Sequence, residues 1–340
     1  MLLNRRIGKL AWVLLGLFLA GCQGAPAITS PASGSAKAIA ELMWIVFGVS
    51  FLVFILIEGV LFFAVFKFRS KTEHFDKSNL PKQTEGNTPL EIAWTILPAI
   101  GLLIIFIISI GTLQTIVNKP AHDSSNLGVI NVTAVGHQWW WEFQYPDLNI
   151  ITASEMHVPV NTVVYVQVES ADVIHSFWVP QMGGKTDVIP GHTNLTWFQA
   201  TELGTFVGEC SEFCGDEHTH MRMDLVVDTP EQYQAWVDLQ MSAPPQPSGE
   251  AVVGENFFME SSCSSCHTIN GSKAAGLSGP NLTHFGSRKS IGGKVFENNP
   301  ENLAIWLGDP SQVKPGVLMP NPGLTTEQIN ALVAFLGSLK

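Results

Sequence analysis

Two long apolar runs constrain this chain more than any other feature of its sequence. They extend from Ile39 to Phe66 and from Ile92 to Val117, and each exceeds the roughly 20 residues that a helix needs to cross the core of a bilayer. Only 14% of all residues are charged, which is well below the proportion usual in soluble domains. We therefore predict a membrane protein with two transmembrane helices, at about residues 39–66 and 92–117, arranged as a hairpin.

The basic residues around these runs predict their orientation. The segment between them carries Lys67, Arg69, Lys71, Lys77 and Lys82, whereas the outer flanks carry only Lys37 and Lys119. Because basic loops stay in the cytoplasm, we expect both ends of the hairpin on the outer face of a bacterial plasma membrane. Glu58 lies in the first run, where it either faces a protein partner or lies near the cytoplasmic end of the span.

The N-terminus is typical of an export signal. Residues 1–21 combine a basic start, an apolar stretch and small residues directly before Cys22. This order resembles a bacterial lipoprotein signal, in which Cys22 is lipidated and begins the mature chain. An ordinary thiol at Cys22 is the alternative. The N-terminal segment with both predicted helices then covers residues 22–118.

The middle of the chain predicts a β domain over residues 119–241. Short β-rich runs between Val129 and Val227 are separated by Pro and Gly turns, which indicates a β-sandwich or Greek-key barrel. A short helix from Pro230 to Met241 is expected to end this domain.

A linker and a small all-α domain are predicted to follow. Residues 242–249 are rich in Pro and Ser, as linkers often are. Residues 250–340 return to helical patterns, and Thr325 and Gln328 are spaced as a capping box ahead of an apolar run.

The middle segment is strongly acidic. Residues 120–245 contain 16 acidic residues against only Lys185 and Arg222, a net charge of −14. A nucleic-acid partner is excluded, because phosphate binding requires a basic surface. A basic protein partner is expected instead.

The most specific motif lies in the helical domain. Cys263, Cys266 and His267 form the C-x-x-C-H signature of covalent c-type haem attachment, with the histidine as proximal iron ligand; a redox or disulfide pair is the alternative. Met319, in a turn-rich loop, is the predicted sixth ligand, with Met259 and His284 as competitors. A His/Met haem is suited to electron transfer.

A second cluster predicts a copper site in the β domain. Cys210, Cys214, His218 and Met221 lie within twelve residues, and His175 lies on an earlier strand. Thiolate, thioether and imidazole together select copper, and two thiolates four residues apart are able to bridge two metals. Zinc would leave the methionine unexplained, and a disulfide between the two cysteines is the other alternative.

These residues resemble the cupredoxin-like dinuclear copper domain, CuA, of cytochrome c oxidase subunit II. The resemblance covers the string from Cys210 to Met221 and the segment Asp172–Pro180, and the fused haem domain resembles the caa-type bacterial oxidases. It implies that Cys210 and Cys214 bridge the coppers and that His175 and His218 each bind one. It further implies weak axial ligation by Met221 and by the main-chain carbonyl of Glu212.

The same resemblance implies roles for residues around the copper. The Glu212 side chain would help to bind magnesium at the boundary with subunit I, and Asp172 would hold His175. Trp139, in an aromatic segment that by itself fits core packing or a membrane-interface belt, would receive electrons on their way to copper. Glu91 would mark the cytoplasmic mouth of a proton path. Without the resemblance, Glu91 also fits an acidic residue at a helix N-terminus, which the helix dipole stabilises.

Three residues depart from the family pattern. His220 replaces the usual aromatic residue, Arg222 replaces a common proline, and His192 replaces an arginine. We expect these residues to alter the protein surface at the edge of the copper site, while each ligand position is retained.

The resulting expectation is subunit II of a terminal respiratory oxidase. Its haem and copper would pass electrons from cytochrome c to the haem-copper subunit I, which reduces O2 to water coupled to proton translocation, together with other oxidase subunits and membrane lipid. The alternatives are the electron-input subunit of a CuA-containing nitric oxide reductase and a membrane-tethered copper-delivery or redox module. Quinol-oxidase subunits resemble this fold but lack the copper ligands retained here, which excludes that role.

Overall fold

The computed structural model describes residues 27–69, 85–118 and 128–340. The described residues form two compact units, one of residues 37–118 and one of residues 128–340 together with residues 27–36. Cys22 and the segment between the apolar runs, from residue 70 to 84, lie outside the described residues.

The first unit consists of two helices, α1 (Gly34–Lys67) and α2 (Thr88–Val117). Both are long and apolar enough to cross a membrane, and most of their apolar side chains are exposed, as lipid-facing side chains would be. The side chain of Asn87 caps α2 by accepting a hydrogen bond from the main chain of Leu90 at 3.2 Å. The prediction of two apolar spanning helices is confirmed.

Glu58 lies inside α1, nine residues before its last residue, Lys67. This distance along the helix is about 14 Å at a rise of about 1.5 Å per residue. Because the helix begins at Gly34, five residues before the predicted span, both sequence-based explanations of Glu58 remain predictions.

The β domain is a sandwich of two five-stranded sheets, ordered β3-β2-β1-β5-β8 and β4-β10-β9-β6-β7. The strands are β1 (Val129–His137), β2 (Trp140–Tyr145), β3 (Ile150–Ala153), β4 (Glu155–Pro159), β5 (Val163–Ser170), β6 (His175–Trp178), β7 (Thr186–Val188), β8 (Asn194–Gln199), β9 (Gly204–Cys210) and β10 (Arg222–Asp228). Alternate residues of β1, β2 and β5 enter the core: Val164, Val166 and Val168 of β5 are all fully buried. The predicted β-sandwich is confirmed, and helix α3 (Pro230–Met241) follows it.

The C-terminal domain is helical, as predicted. Its helices are α4 (Glu250–Glu260), α5 (Cys263–Cys266), α6 (Pro300–Gly308), α7 (Pro310–Val313) and α8 (Thr326–Ser338). Helices α4 and α8 pack closely, with Phe258 and Phe335 in contact in the core. The capping box at Thr325 and Gln328 is present. A short ribbon, β11 (Ser290–Ile291) with β12 (Phe296–Glu297), is the one β element of this domain among the described residues, and the sequence did not predict it.

Candidate metal centres

The structure brings four of the predicted copper donors together at one end of the sandwich. Cys210 ends β9, Cys214 lies in the following loop, and their Sγ atoms are 3.7 Å apart. His175, at the start of β6, places Nδ1 3.9 Å from Cys210 Sγ, and His218 places Nδ1 3.6 Å from Cys214 Sγ. The two imidazoles therefore approach different thiols of the pair.

Two weaker donors lie beside these thiols. Sδ of Met221 is 3.9 Å from Sγ of Cys214, and the main-chain oxygen of Glu212 is 3.3 Å from Sγ of Cys210. The Met221 side chain is fully buried, whereas the Glu212 side chain is exposed. The loop therefore supplies a donor from a side chain and a donor from the main chain.

Both cysteines are free thiols in a buried site. Their separation of 3.7 Å is far beyond the roughly 2.05 Å of a disulfide bond, so the disulfide alternative has no support in the structure. Contact with the Cys214 thiol, opposed by burial and assisted by His175, lowers the pKa of Cys210. The same contact, together with burial, raises the pKa of Cys214.

Neighbouring residues hold His175 in place. Oδ1 of Asp172 lies 2.7 Å from Nε2 of His175, which leaves Nδ1 directed at Cys210. The prediction that Asp172 contacts His175 is confirmed. A Cβ atom at Gly136 would lie 2.8 Å from Cδ2 of the His175 imidazole, so this position requires glycine.

Trp139 joins the copper loop to the haem domain. Its indole Nε1 donates to the main-chain oxygen of Cys214 at 3.0 Å, and its side chain is 5% exposed. The same tryptophan lines a cavity whose other wall belongs to the haem domain. It therefore touches both candidate centres.

This cavity contains the predicted haem-binding residues. Cys263, Cys266 and His267 line it from α5 and the residue after it, and Met319 lines it from the loop between α7 and α8. Nδ1 of His267 lies 2.8 Å from the main-chain oxygen of Pro280, which leaves Nε2 available as a ligand. Burial lowers the pKa of His267, which favours the neutral imidazole that metal binding requires.

Several features of the cavity fit a haem. A Cβ atom at Gly279 would lie 2.6 Å from the His267 ring, so glycine leaves room for the imidazole. Nε of Arg288 and Oγ of Ser290 are buried without a hydrogen-bond partner, and both residues line the cavity. A ligand with polar groups on its edge, such as a haem, would satisfy these two donors.

The two competitors of Met319 are not among the residues lining the cavity. Met259 lies on α4 and packs against the core of the helical domain. His284 is 2% exposed, and its Nε2 lies 3.2 Å from the main-chain oxygen of Ser242. The geometry therefore favours Met319 as the sixth ligand.

Comparison with known proteins finds family matches for three segments of this chain. The transmembrane domain of cytochrome c oxidase subunit II matches residues 23–112, the periplasmic domain of the same subunit matches residues 149–229, and the cytochrome c family matches residues 251–340. A protein named cytochrome c oxidase subunit 2 from Alkalihalophilus pseudofirmus is 37% identical, covering 96% of this chain and 95% of that protein. The chain belongs to the cytochrome c oxidase subunit II family.

Two further relatives are similar to most of this chain. A cytochrome c oxidase subunit 2 from Bacillus sp. strain PS3 is 39% identical, covering 78% of each chain. A quinol oxidase subunit 2 from Bacillus cereus is 31% identical, covering 72% of this chain and 84% of that protein. Membership of the subunit II family makes this chain part of an oxidoreductase complex. The subunit II periplasmic domain implies copper in the β domain, and the cytochrome c match implies haem in the helical domain. The nitric oxide reductase and copper-delivery alternatives are not favoured.

The three departures from the family pattern leave the donors in place. Nδ1 of His220 lies 2.5 Å from a carboxylate oxygen of Glu217, and His192 Nε2 lies 3.1 Å from the Asn194 side chain. Arg222 forms an exposed ion pair at 3.4 Å with Glu209, its partner across β9 and β10. None of these contacts involves an atom of the copper donors.

The remaining predicted residues of the subunit II pattern lie elsewhere. Glu91 lies in the first turn of α2, where the helix dipole favours an acid.

The sequence did not predict two buried residues at the copper end, Glu217 and Lys314. Glu217 could have been found from its spacing of three residues from His220, but nothing near Lys314 in the sequence signals its role.

Proposed function

We propose that this chain receives electrons at a haem bound by Cys263, Cys266, His267 and Met319 and delivers them to a dinuclear copper centre bound by the residues around Cys210. The copper ligands in this proposal are His175, Cys210, Cys214, His218, Met221 and the main-chain oxygen of Glu212. When bound, the haem and the copper supply reversible one-electron transfer. The chain itself binds, orients and insulates these groups.

One observation carries the proposal: Trp139 lies between the two donor sets. Its indole nitrogen bonds the carbonyl of Cys214, and its side chain lines the cavity that holds the haem-binding motif. A single buried side chain therefore makes contact with both sites, and a transfer between them need not cross bulk water. This arrangement supports electron transfer from haem to copper within one chain.

The surroundings of the donors support the same role. Asp172 orients one imidazole, and the buried position of Met221 excludes water from the copper end. A site that keeps its ligands rigid changes little in geometry when it gains or loses an electron. The exposed Glu212 side chain beside this site remains available to help bind magnesium at the boundary with subunit I.

The electrons then pass to a haem-copper subunit I, which reduces O2 to water coupled to proton translocation. Cytochrome c is the external donor in this proposal, and Glu91 marks the cytoplasmic mouth of a proton path. The copper and haem domains lie on the outer face of the plasma membrane, and a lipid on Cys22 anchors the mature N-terminus. In this proposal residues 22–118 form the membrane segment, residues 119–241 the copper domain, residues 242–249 the linker and residues 250–340 the haem domain.

The test is purification of the tagged complex in mild detergent, followed by measurement of O2 and nitric oxide consumption with reduced cytochrome c as donor. Rapid O2 consumption that Cys214→Ser abolishes is the expected result. Ser211→Ala, which alters the same loop without removing a donor, is the matched control and should retain activity. Preferential consumption of nitric oxide would overturn the oxidase assignment while leaving the metal sites intact.

A further inference from the structure

Lys314 is buried where the haem domain meets the copper domain. Its side chain is 1% exposed, although lysine is among the residues that are least often buried. The ammonium lies within hydrogen-bond distance of three main-chain oxygens: Trp139 at 2.6 Å, His220 at 2.9 Å and Gly292 at 2.7 Å. Because an ammonium has three donors, all of them are satisfied here.

The three acceptors belong to different domains. Trp139 and His220 are part of the copper domain, whereas Gly292 and Lys314 itself are part of the haem domain. The lysine therefore ties a loop of one domain to the main chain of the other. Trp139 is also the residue that bonds the carbonyl of Cys214.

Lys314 begins the loop that leads to Met319, the proposed sixth ligand of the haem. Two residues after Lys314, a Cβ atom at Gly316 would lie 3.2 Å from the Trp139 ring. The start of the loop thus packs directly on the indole.

A second segment of the haem domain docks beside the lysine. Oε1 of Glu155, a buried residue of β4, accepts a hydrogen bond from the main chain of Lys289 at 2.5 Å. Lys294 forms an ion pair with the buried Asp224. The Arg222 amide also donates across the interface, to the Gly293 oxygen, at 3.2 Å. One ion pair and two main-chain hydrogen bonds therefore join the two domains here.

The approach is close enough to require glycine at position 293. A Cβ atom there would lie 2.7 Å from the Trp139 oxygen, 2.9 Å from Nζ of Lys314 and 3.1 Å from the His220 oxygen. The backbone φ of Gly293 is +74°, a conformation that other residues rarely adopt. The space and the backbone angle both indicate that this contact is tight.

We propose that Lys314 is a positioning residue, which holds the Met319 loop against the main chain of Trp139 and thereby sets the geometry of haem-to-copper electron transfer. The inference rests on the proposed function. Removing the ammonium leaves three carbonyl oxygens without their donor. The observed arrangement of the two domains is then no longer more stable than arrangements in which the Met319 loop is displaced. Transfer falls steeply with separation, and small displacements of reacting groups have large effects on rate.

The experiment compares four full-length proteins in the purified complex, with the catalytic subunit inhibited by cyanide: wild type, Lys314→Met, Gly293→Ala and Lys273→Gln. Lys314→Met keeps the apolar stem but removes the ammonium, and Gly293→Ala opens the interface without removing a donor. Lys273 is an exposed lysine of the same domain and serves as the matched control. The haem is reduced by a light flash, and the rate at which copper then becomes reduced is measured from the change in its absorption.

We expect Lys314→Met and Gly293→Ala each to slow the haem-to-copper step by about tenfold or more, while the haem and copper spectra stay unchanged. Lys273→Gln should match wild type. Hydrogen exchange gives a second readout, because the amides of Arg222 and Lys289 donate across the interface and should lose protection in the two interface variants.

Wild-type rates and wild-type protection in both interface variants would overturn the role of Lys314. If Lys314→Met loses the haem or the copper, the test uses Gly293→Ala alone: a slower haem-to-copper step in that variant supports the role of the interface, and a wild-type rate overturns it. If the wild type shows no transfer from haem to copper, the proposed function fails instead. The exchange data then test the positioning role independently: retained protection in Lys314→Met overturns it.

Discussion

Removal of the Asp172 carboxylate should weaken copper binding. Its Oδ1 lies 2.7 Å from Nε2 of His175, and its Oδ2 accepts a hydrogen bond from the Gln138 amide at 2.7 Å. The carboxylate thus fixes both the imidazole and the loop before Trp139. In Asp172→Ala the ring loses its partner, and Nδ1 is no longer held toward Cys210.

The expected size of the effect follows from this contact. Loss of a carboxylate that orients a ligating histidine costs roughly 10- to 100-fold in metal affinity. This range corresponds to about 1.4–2.7 kcal/mol of binding free energy. Asp172→Asn keeps an oxygen that accepts from the imidazole, so we expect it near the lower end and Asp172→Ala near the upper end.

Copper affinity is measured on the purified full chain by competition with a chelator of known affinity, followed through the absorption of the copper-thiolate centre. Asp147→Asn is the matched control, because Asp147 is exposed and its carboxylate accepts a hydrogen bond from the Asn131 side chain at 2.9 Å, away from the copper donors. An affinity of Asp172→Ala within twofold of wild type would refute the reasoning.

Three further predictions follow from the two centres and the interface. Met221→Leu should change the copper absorption alone and Met319→Leu the haem spectrum alone; the reverse pattern in absorption spectra would contradict both ligand assignments. Gly279→Ala should reduce the fraction of six-coordinate haem, because its Cβ would lie 2.6 Å from the His267 ring; an unchanged spectrum would show that the ring is free to shift. Burial lowers the pKa of Lys314 to about 8 from 10.5, so between these values the unfolded chain binds more protons and stability rises with pH. As the pH is raised from 8 to 10, the thermal unfolding midpoint of wild type should therefore rise relative to that of Lys314→Met. A difference between the two midpoints that does not change with pH would contradict this.

Two of the 16 acidic residues of the middle segment contact the haem domain of the same chain. The sequence predicted a basic protein partner for this segment, which stays a prediction. Glu155 and Asp224 are buried against the main chain of Lys289 and the side chain of Lys294. A charge count alone does not distinguish acids that attract an external donor from acids that dock a fused domain.

The local motifs were predictable because their chemistry depends on spacing along the chain. Cys210, Cys214, His218 and Met221 fall within twelve residues, and the haem motif within five, so donor type and separation alone indicate a metal. The apolar runs predict α1 and α2 for a similar reason, since length and hydropathy decide whether a helix is able to span a bilayer.

The contacts between domains were decided only by the tertiary structure. Lys314 and Trp139 are 175 residues apart, and Glu155 and the Lys289 amide are 134 residues apart. Contacts at such separations arise from the packing of complete domains, and an isolated lysine carries no local pattern that marks it as buried. The sequence therefore determined which groups this protein is able to bind, whereas the tertiary structure determined that Trp139 contacts both donor sets and that the ammonium of Lys314 bonds the Trp139 main chain.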